Sequence, residues 1–485
     1  MKRVRGKINK VNIIMKSGEL LFDFLEKITG YKGEKRRFKR VAGYELNLKN
    51  PKSFAEKIVW KKLYDRNPLI PVVADKYKVR EYARRILGIK EAEDILIPML
   101  YITDNSETIP FDEFPEGYII KPNHASGWHI IVEKGMEIDK KYIISQCKKW
   151  LKMSYGIREH EWAYQPIKRR IIIEKLLKDN RGKMPTDYKF FIIHGECHLI
   201  QVIYDRFAKR TLGMYKPYWE YLNVKGRAKK APPDEPPCCL SEMIYMSKKL
   251  GGLFDCIRVD FCLVDNRIYL TELTNYHQEG WIRWDPVSFD FELGSKWQIE
   301  PGYWKKCPYI EKLAKEINDV CDIIIRKATD KDKPVIFRLL KQANMHYIPS
   351  PEMPSLTYEN YFVAQVKRKV VGFCGYKILD TNTAKTELMV VDRRYRNRGI
   401  GYQLQVHRMK DMLNKGIQKL ITNTDHPETI AWYKKHFGYV EVGKLKKLHR
   451  FGTPDIEYWT TLEVDLKRWK EKQNGRSVPL SHHAL

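Results

Sequence analysis

Short apolar runs, several alternating with polar residues, crowd the stretch from about Tyr118 to Leu273: GYIIK, WHIIVE, RIIIEK, YKFFIIH, HLIQVIY, CIRVDFCLV and RIYLTEL. Runs of this length and β-branched content, some joined by turn residues such as His194-Gly195-Glu196, predict a mostly antiparallel sheet. Before it the pattern shifts to helical spacing, best at Phe54 to Leu63 and Ala74 to Ile86. Together these predict an α+β domain. After it, Tyr309 to Val320 reads as a helix leading straight into a strand at Ile323 to Ala328, with no Gly/Ser tether between them. A second pattern follows: the apolar stretch Glu387 to Val391, the turn RNRGIG (Arg396 to Gly401), and a helix whose buried stripe is Tyr402, Val406, Met409 and Leu413. A buried strand at Lys419 to Thr424 and a helix from Pro427 to His436, stopped by Gly438, complete it.

At 485 residues the chain is too long for one domain. The expected layout is a basic helical lead-in over 1–44, a first domain over 45–322, a second over 323–470 and a disordered tail over 471–485. Nine cysteines without a CxxC pair argue against a secreted disulfide framework and a thiolate zinc site, which favours the cytoplasm. The first residues are basic but lack an unbroken apolar core, so no signal peptide is expected, and no stretch is apolar enough to span a bilayer. With 89 Lys and Arg against 60 Asp and Glu, the net charge of +29 favours anionic partners and leaves peripheral membrane association open. The charge is scattered and lacks interleaved aromatic platforms, which counts against nucleic acid. Clusters such as Lys32 to Arg40 read as solvated faces, and Cys238 and Cys239 as structural.

The glycines of RNRGIG let backbone N–H groups approach an anion while the next helix points its N-terminus at the same spot, a cradle fit for pyrophosphate. Farther upstream, Lys121 ends a strand and is followed by the loop Pro122 to Trp128, where Ser126 and Gly127 can close over phosphates while Lys121 supplies charge. Asp260 and Glu272 are carboxylates inside otherwise apolar strands that form a hairpin around Asp265-Asn266. With an odd-length loop the two face each other, and facing buried carboxylates need a bridging cation, for which Mg²⁺ with nucleotide phosphates is suited. Arg258 projects to the same face and can take a phosphate bidentately. The alternative is a plain salt-bridge cluster of Arg258, Asp260 and Glu272. Glu387, on the strand before RNRGIG, is a candidate general base acting through water. Arg80, Arg206 and Arg210 are candidates to grip an acidic substrate, and no Ser-His-Asp or Cys-His arrangement stands out.

The order strand, RNRGIG, helix, strand and IAWYKKHFGY (Ile430 to Tyr439) resembles the GNAT family of acyl-CoA-dependent N-acetyltransferases over about Ile323 to Leu466. The resemblance implies that Arg396, Arg398, Gly399 and Gly401 hold the pyrophosphate of acetyl-CoA and that Tyr433 protonates the departing thiolate. Over about residues 45 to 300 the chain resembles the TupA-like branch of the ATP-grasp superfamily, associated with cell-surface polysaccharide and teichuronopeptide synthesis. FAEKIVWKKLYDRNPL, ADKYKVREY, IIKPNHASGWHIIV, PTDYKFFIIHGE, IRVDF and YLTEL carry it, in that order. It implies that Lys121 and Lys189 bind ATP phosphates, that Glu174 and the backbone after it bind adenosine, and that Asp260 and Glu272 hold Mg²⁺. Many ATP-grasp enzymes place an asparagine two residues beyond the metal-binding glutamate. Here that position is Thr274, with Asn275 next, which leaves the third ligand open. The implied fold is an ATP-grasp domain of mostly antiparallel sheets with helices, then a GNAT α/β domain. The implied chemistry is ATP-dependent ligation of a carboxylate to an amine through an acyl phosphate, joined to N-acetylation, on sugar or amino-acid precursors of a surface glycan. Two alternatives stand beside it: phosphorylation of a sugar hydroxyl at the ATP-grasp site, and an ATP-dead basic module recruiting an anionic polymer.

Overall fold

The computed structural model describes residues 22, 24–114, 116–204, 210–321, 323–343, 359–366, 369–396, 400–448, 453 and 455–474. Arg206, Arg398, Gly399, most of the lead-in before Phe24 and the tail beyond residue 474 lie outside them. The chain divides into two units, Met1–Asn318 and Asp319–Leu485. The division falls inside the helix Pro308–Cys321, shortly before the boundary expected at 322.

The first unit holds two sheets, where the apolar runs alone suggested one. β1 (Met99–Thr103), β2 (Tyr118–Pro122), β3 (Ile130–Val132) and β4 (Ile171–Lys175) form an antiparallel sheet in the order β1-β4-β2-β3. β5 (Thr186–Ile193), β6 (Glu196–Tyr204), β7 (Thr211–Tyr215), β8 (Lys229–Lys230), β9 (Cys256–Val264) and β10 (Arg267–Thr274) form the other, in the order β10-β9-β5-β6-β7-β8. It is antiparallel except at the short β7–β8 pair. Alternation sets which side of a strand is buried, but says nothing about which strands share a ladder.

The helix Phe54–Tyr64 starts at a capping box made by Ser53 and Glu56. It packs on the larger sheet through Phe54, Ala55, Ile58 and Val59. Lys61 and Lys62 on the same helix are fully buried and paired with Asp255 and Glu34, respectively. Gly294 lies against the start of this helix so closely that a Cβ would stand 2.3 Å from the Lys52 carbonyl oxygen. Gly294→Ala should therefore destabilise the unit by about 1–3 kcal/mol, read as a lowered urea midpoint at unchanged m-value.

The helix expected over Ala74 to Ile86 is broken into Ile70–Ala74 and Lys78–Leu87. Asp75 occupies the break, accepting from the Tyr77 amide at 2.9 Å and from Asn123 Nδ2 at 2.8 Å. That tertiary bond, invisible to local spacing, stops the first helix and ties the break to the loop after β2.

The second unit is one seven-stranded sheet made of β11 (Ile324–Lys327), β12 (Tyr361–Val366), β13 (Lys369–Ile378), β14 (Thr383–Val391), β15 (Lys419–Thr424), β16 (Val440–Lys446) and β17 (Tyr458–Asp465). The order is β11-β12-β13-β14-β15-β17-β16, with a core cluster around Leu404, Met412 and Leu420 and another around Ile336, Leu339 and Phe373. Only β14 and β15 pair in parallel, and their backbone pairing is confined to Thr383–Lys385 with Lys419–Ile421. Beyond the contact between the Thr386 and Thr422 hydroxyls, the rest of β14 keeps its partner β13 and has no backbone pairing with β15.

The helix Ile400–Asn414 buries Ile400, Leu404, Gln405, Arg408, Met409 and Met412, while Tyr402 is exposed. The buried stripe is thus rotated from the one the apolar positions predict, because Arg408 and Gln405 go inside with their polar groups satisfied. The final helix, Leu466–Asn474, runs into the stretch expected to be a disordered tail.

Candidate functional site

A single row of side chains crosses three strands of the larger sheet. Asp265 and Asn266, both at positive φ, make a two-residue turn with Val264 opposite Arg267. Continued evenly, that register would put Thr271 opposite Asp260. A bulge between Leu270 and Glu272 absorbs Thr271 instead, so that Glu272 faces Asp260, and Lys189 of β5 faces Asp260 from the other side. The even-length turn is therefore compensated by an irregularity that loop counting does not foresee.

Asp260 is held by two cations. Arg258 donates from Nε to Oδ1 at 2.6 Å and from Nη2 to Oδ2 at 2.7 Å, and Lys189 Nζ donates to Oδ2 at 2.5 Å. Burial alone would raise the Asp260 pKa, but Arg258 and Lys189 bring it down to about 2. Glu272 is also held below its ordinary range: burial and Asp260 push upward, and Arg258, Lys76 and Lys189 overcome them. Lys189 is lowered by burial and by Arg258. Arg258 additionally donates to Thr274 Oγ1 at 3.0 Å and meets His277 Nδ1. Burial and the guanidinium drive His277 far below its ordinary pKa, so it is neutral with Nδ1 as acceptor. Thr274, the residue at the asparagine position of the family pattern, is thus engaged by Arg258. Next to it, Asn275 is buried, and neither polar atom of its side chain has a hydrogen-bond partner among the described residues.

On the smaller sheet, Lys121 of β2 pairs with Glu174 of β4 at 2.6 Å, and Arg80 reaches Glu174 at 3.6 Å. Arg80 is therefore occupied within this cluster, and Arg210 is exposed. Ser126 and Gly127 are exposed at the tip of the following loop, with Gly127 at φ 76°. Lys76, from the helix break, donates to the Ala125 carbonyl beneath that tip. Burial lowers its pKa against the pull of Glu272, while Lys121 lowers it further and Glu174 opposes. Lys76 thus feels both the Lys121–Glu174 pair and the Asp260–Glu272 pair. It was not singled out from sequence, where a lysine in a helical stretch carries no signal.

In the second unit Arg396 and Gly401 flank the join between β14 and the helix Ile400–Asn414. Arg396 is exposed, and its Nε donates to the Val391 carbonyl at 3.3 Å. Arg398 and Gly399, between them, lie outside the described residues. Glu387 Oε2 accepts from the Tyr361 hydroxyl at 2.8 Å, and burial raises its pKa despite that bond. Tyr433 is 4% exposed, and its hydroxyl accepts from Arg408 Nη2 at 2.9 Å. Arg408 Nη1 in turn donates to the Gly375 and Glu387 carbonyls at 3.1 and 3.3 Å. This fully buried guanidinium therefore links Tyr433 to the strand bearing Glu387. Sequence spacing missed it, since it lies on a face read as polar.

Residues 56–298, half of the chain, match the family described as TupA-like ATPgrasp, and residues 334–439 match the acetyltransferase (GNAT) family. No curated protein matches the chain. Among solved structures, Ard1 from Thermoplasma volcanium is similar at 22% identity over 30% of this chain and 97% of that one, with a TM-score of 0.26. The ribosomal-protein-S18-alanine N-acetyltransferase from Escherichia coli is similar at 16% identity over 30% and 94%, with a TM-score of 0.25. A GNAT family acetyltransferase from Elizabethkingia anophelis with acetyl-CoA bound is similar at 20% identity over 30% and 98%, with a TM-score of 0.25.

Proposed function

We propose, for a chain that belongs to the TupA-like ATP-grasp family and carries a GNAT acetyltransferase domain after it, a bifunctional enzyme of surface-glycan precursor synthesis that joins a carboxylate to an amine with ATP and acetylates an amine with acetyl-CoA. The observation that carries the first activity is the row Lys189, Asp260, Glu272 with Arg258 beside it. Two carboxylates and three cations, counting Lys76, concentrate there the charges that phosphoryl transfer needs.

Mg²⁺ fits this donor set. Among the described residues no three His, Cys, Asp or Glu side chains gather around one point. The Asn275 amide, three residues beyond Glu272 in the chain and without a hydrogen-bond partner among the described residues, is a candidate further oxygen, and Mg²⁺ retains water in its remaining positions. Asp260, Glu272 and Asn275 would hold the ion, which would neutralise phosphate charge as the γ-phosphoryl group moves.

Arg258, oriented by Asp260 and His277, and Lys189 stabilise the phosphates. Lys121 also serves them, from the other sheet and against Glu174, which would in turn meet the adenosine. The substrate carboxylate takes up the phosphoryl group to give an acyl phosphate, and the amine displaces phosphate from it. No protein nucleophile is required. A kinase reading keeps the same residues and differs only in its product, a stable phosphate ester.

For the second activity, the backbone pairing of β14 with β15 stops at Lys385 and Ile421, toward the carboxyl ends of two parallel strands, where ligands of α/β sheets bind. Arg396, five residues after β14, and Gly401, in the first turn of the following helix, bind the pyrophosphate of acetyl-CoA together with Arg398 and Gly399, as the family resemblance implies. Glu387 takes the acceptor amine's proton through water. Tyr433, accepting from Arg408, keeps its own proton free to donate to the thiolate.

A pH dependence follows. Because burial raises the Glu387 pKa, its basic form is lost at a pH above the ordinary carboxylate range. The kcat/KM for acetyl transfer should fall as pH drops through that raised value, and Glu387→Gln should remove this acid limb along with most of the rate. A profile flat through that region would exclude Glu387 as the base. Incubating the protein with ATP, Mg²⁺, labelled acetyl-CoA and a panel of carboxylates and amines, with products read by mass spectrometry, tests both activities together.

A further inference from the structure

The basic cluster Lys32 to Arg40, which residue pattern alone reads as a solvated face, follows closely on three exposed apolar side chains. Phe24, Leu25 and Ile28 are 58%, 50% and 66% exposed on a helical stretch covering residues 24–28. The helix Lys32–Ala42 follows after a turn in which Gly30 and Tyr31 both have positive φ. Single exposed apolar residues are ordinary, but three large ones within five residues mark a contact surface.

Both helical stretches are fastened to the first unit. Glu26 Oε1 accepts from the Gly33 amide at 3.1 Å and Oε2 from the Glu34 amide at 3.2 Å, which ties the first stretch to the start of the second. Tyr31, between them, meets His160 and Tyr64 edge to face. In the second helix Glu34, Phe38 and Ala42, spaced four apart, are buried. Glu34 pairs with Lys62 at 2.7 Å and accepts from Trp281 Nε1 at 2.8 Å, while Phe38 enters the core of the larger sheet. Helical spacing then turns Phe24 and Ile28, each two residues from Glu26, away from the side that Glu26 fastens. In the same way Lys32, Arg36 and Arg40, each two residues from a buried position, turn away from the core. All five are exposed. Glu26 and Glu34 are the only acids in the sequence from 24 to 42, and both are taken up by the contacts just described. The outward sides therefore carry large apolar groups and positive charge with no acid from this segment among them.

We propose that this surface docks on an anionic lipid bilayer, with Phe24, Leu25 and Ile28 entering the headgroup boundary and Lys32, Arg36 and Arg40 meeting lipid phosphates. Charge complementarity selects this occupant. Each cation near an anionic membrane strengthens binding about fivefold, and the apolar groups gain by leaving water. A nucleic acid would use the charge but leave Leu25 and Ile28 in water. Among the described residues no helix is long and apolar enough to cross a membrane, and surface docking requires none. The role goes beyond the two activities proposed above and is independent of which reaction the ATP site runs.

The test sediments the full chain with vesicles of phosphatidylcholine containing about a quarter phosphatidylglycerol, and with vesicles of phosphatidylcholine alone, at about 0.1 M sodium chloride. The wild type should bind the mixed vesicles and stay in solution with the neutral ones. Arg36→Gln/Arg40→Gln should need roughly 25-fold more lipid for the same bound fraction, about fivefold for each cation. Phe24→Ser/Ile28→Ser should need roughly tenfold more or beyond, from the lost apolar burial. All four positions are exposed, so both variants should keep the wild-type thermal midpoint. Should one variant not fold, the other and the comparison of lipids decide. Equal binding of the wild type to both kinds of vesicle, binding to neither, or wild-type affinity in either folded variant overturns the proposal. A dimer that dissociates in Phe24→Ser/Ile28→Ser with vesicle binding intact overturns it as well, and makes the surface an interface between two copies.

Discussion

Glu272→Gln should abolish ATP turnover, lowering it by roughly 10²-fold or more, while leaving acetyl-CoA binding and acetyl transfer unchanged. The substitution keeps size and removes one of the two facing charges. Glu272 is the better choice than Asp260 for this purpose. Asp260 compensates both Arg258 and Lys189, so Asp260→Asn would strand two buried cations and cost about 3–5 kcal/mol of stability. Among the described residues Glu272 carries no direct ion pair, and its loss should leave the fold standing. The check is ADP release with Mg²⁺ across a carboxylate panel, alongside the thermal midpoint. Unimpaired turnover in a folded Glu272→Gln protein would remove Glu272 from the metal site.

Tyr433→Phe should lower kcat for acetyl transfer by roughly 10²–10⁴-fold, the range of a lost general acid, with KM for acetyl-CoA nearly unchanged and ATP turnover unaffected. Deleting the hydroxyl leaves Arg408 its bonds to Gln405, Gly375 and Glu387, so the guanidinium stays compensated and the helix keeps its place. A stopped-flow thiol trap measures the rate. A loss confined to KM would make Tyr433 a wall of the cofactor cleft instead of the acid.

Much of this architecture was legible from residue order. The apolar runs located the strands, and the turn-helix-strand sequence after Val391 gave the second unit its order. Asp260 and Glu272 stood out as charges within apolar strands. What local pattern concealed was set by distant partners. The helix break at Asp75 depends on Asn123, the division into two sheets depends on the strands β4 chooses, and the register of Glu272 depends on a bulge at Thr271. Arg408 was hidden because a buried arginine mimics a solvated one until its acceptors, the Tyr433 hydroxyl, the Gln405 amide oxygen and two carbonyls, are seen. Lys76 and Asn275 are of the same kind: their polarity agrees with an exposed loop or helix, and only burial gives it meaning.

Acyl phosphate formation is the step that separates a carboxylate-amine ligase from a kinase of the same fold. Hydroxylamine traps an acyl phosphate as a hydroxamate without using the enzyme's own acceptor, so full-length protein with ATP, Mg²⁺, hydroxylamine and a panel of sugar acids and amino acids reads that step directly. The wild type should yield hydroxamate with at least one carboxylate, Glu272→Gln none, and Tyr433→Phe an unchanged amount. Hydroxamate absent with every carboxylate, or persisting in Glu272→Gln, would contradict the ligase reading.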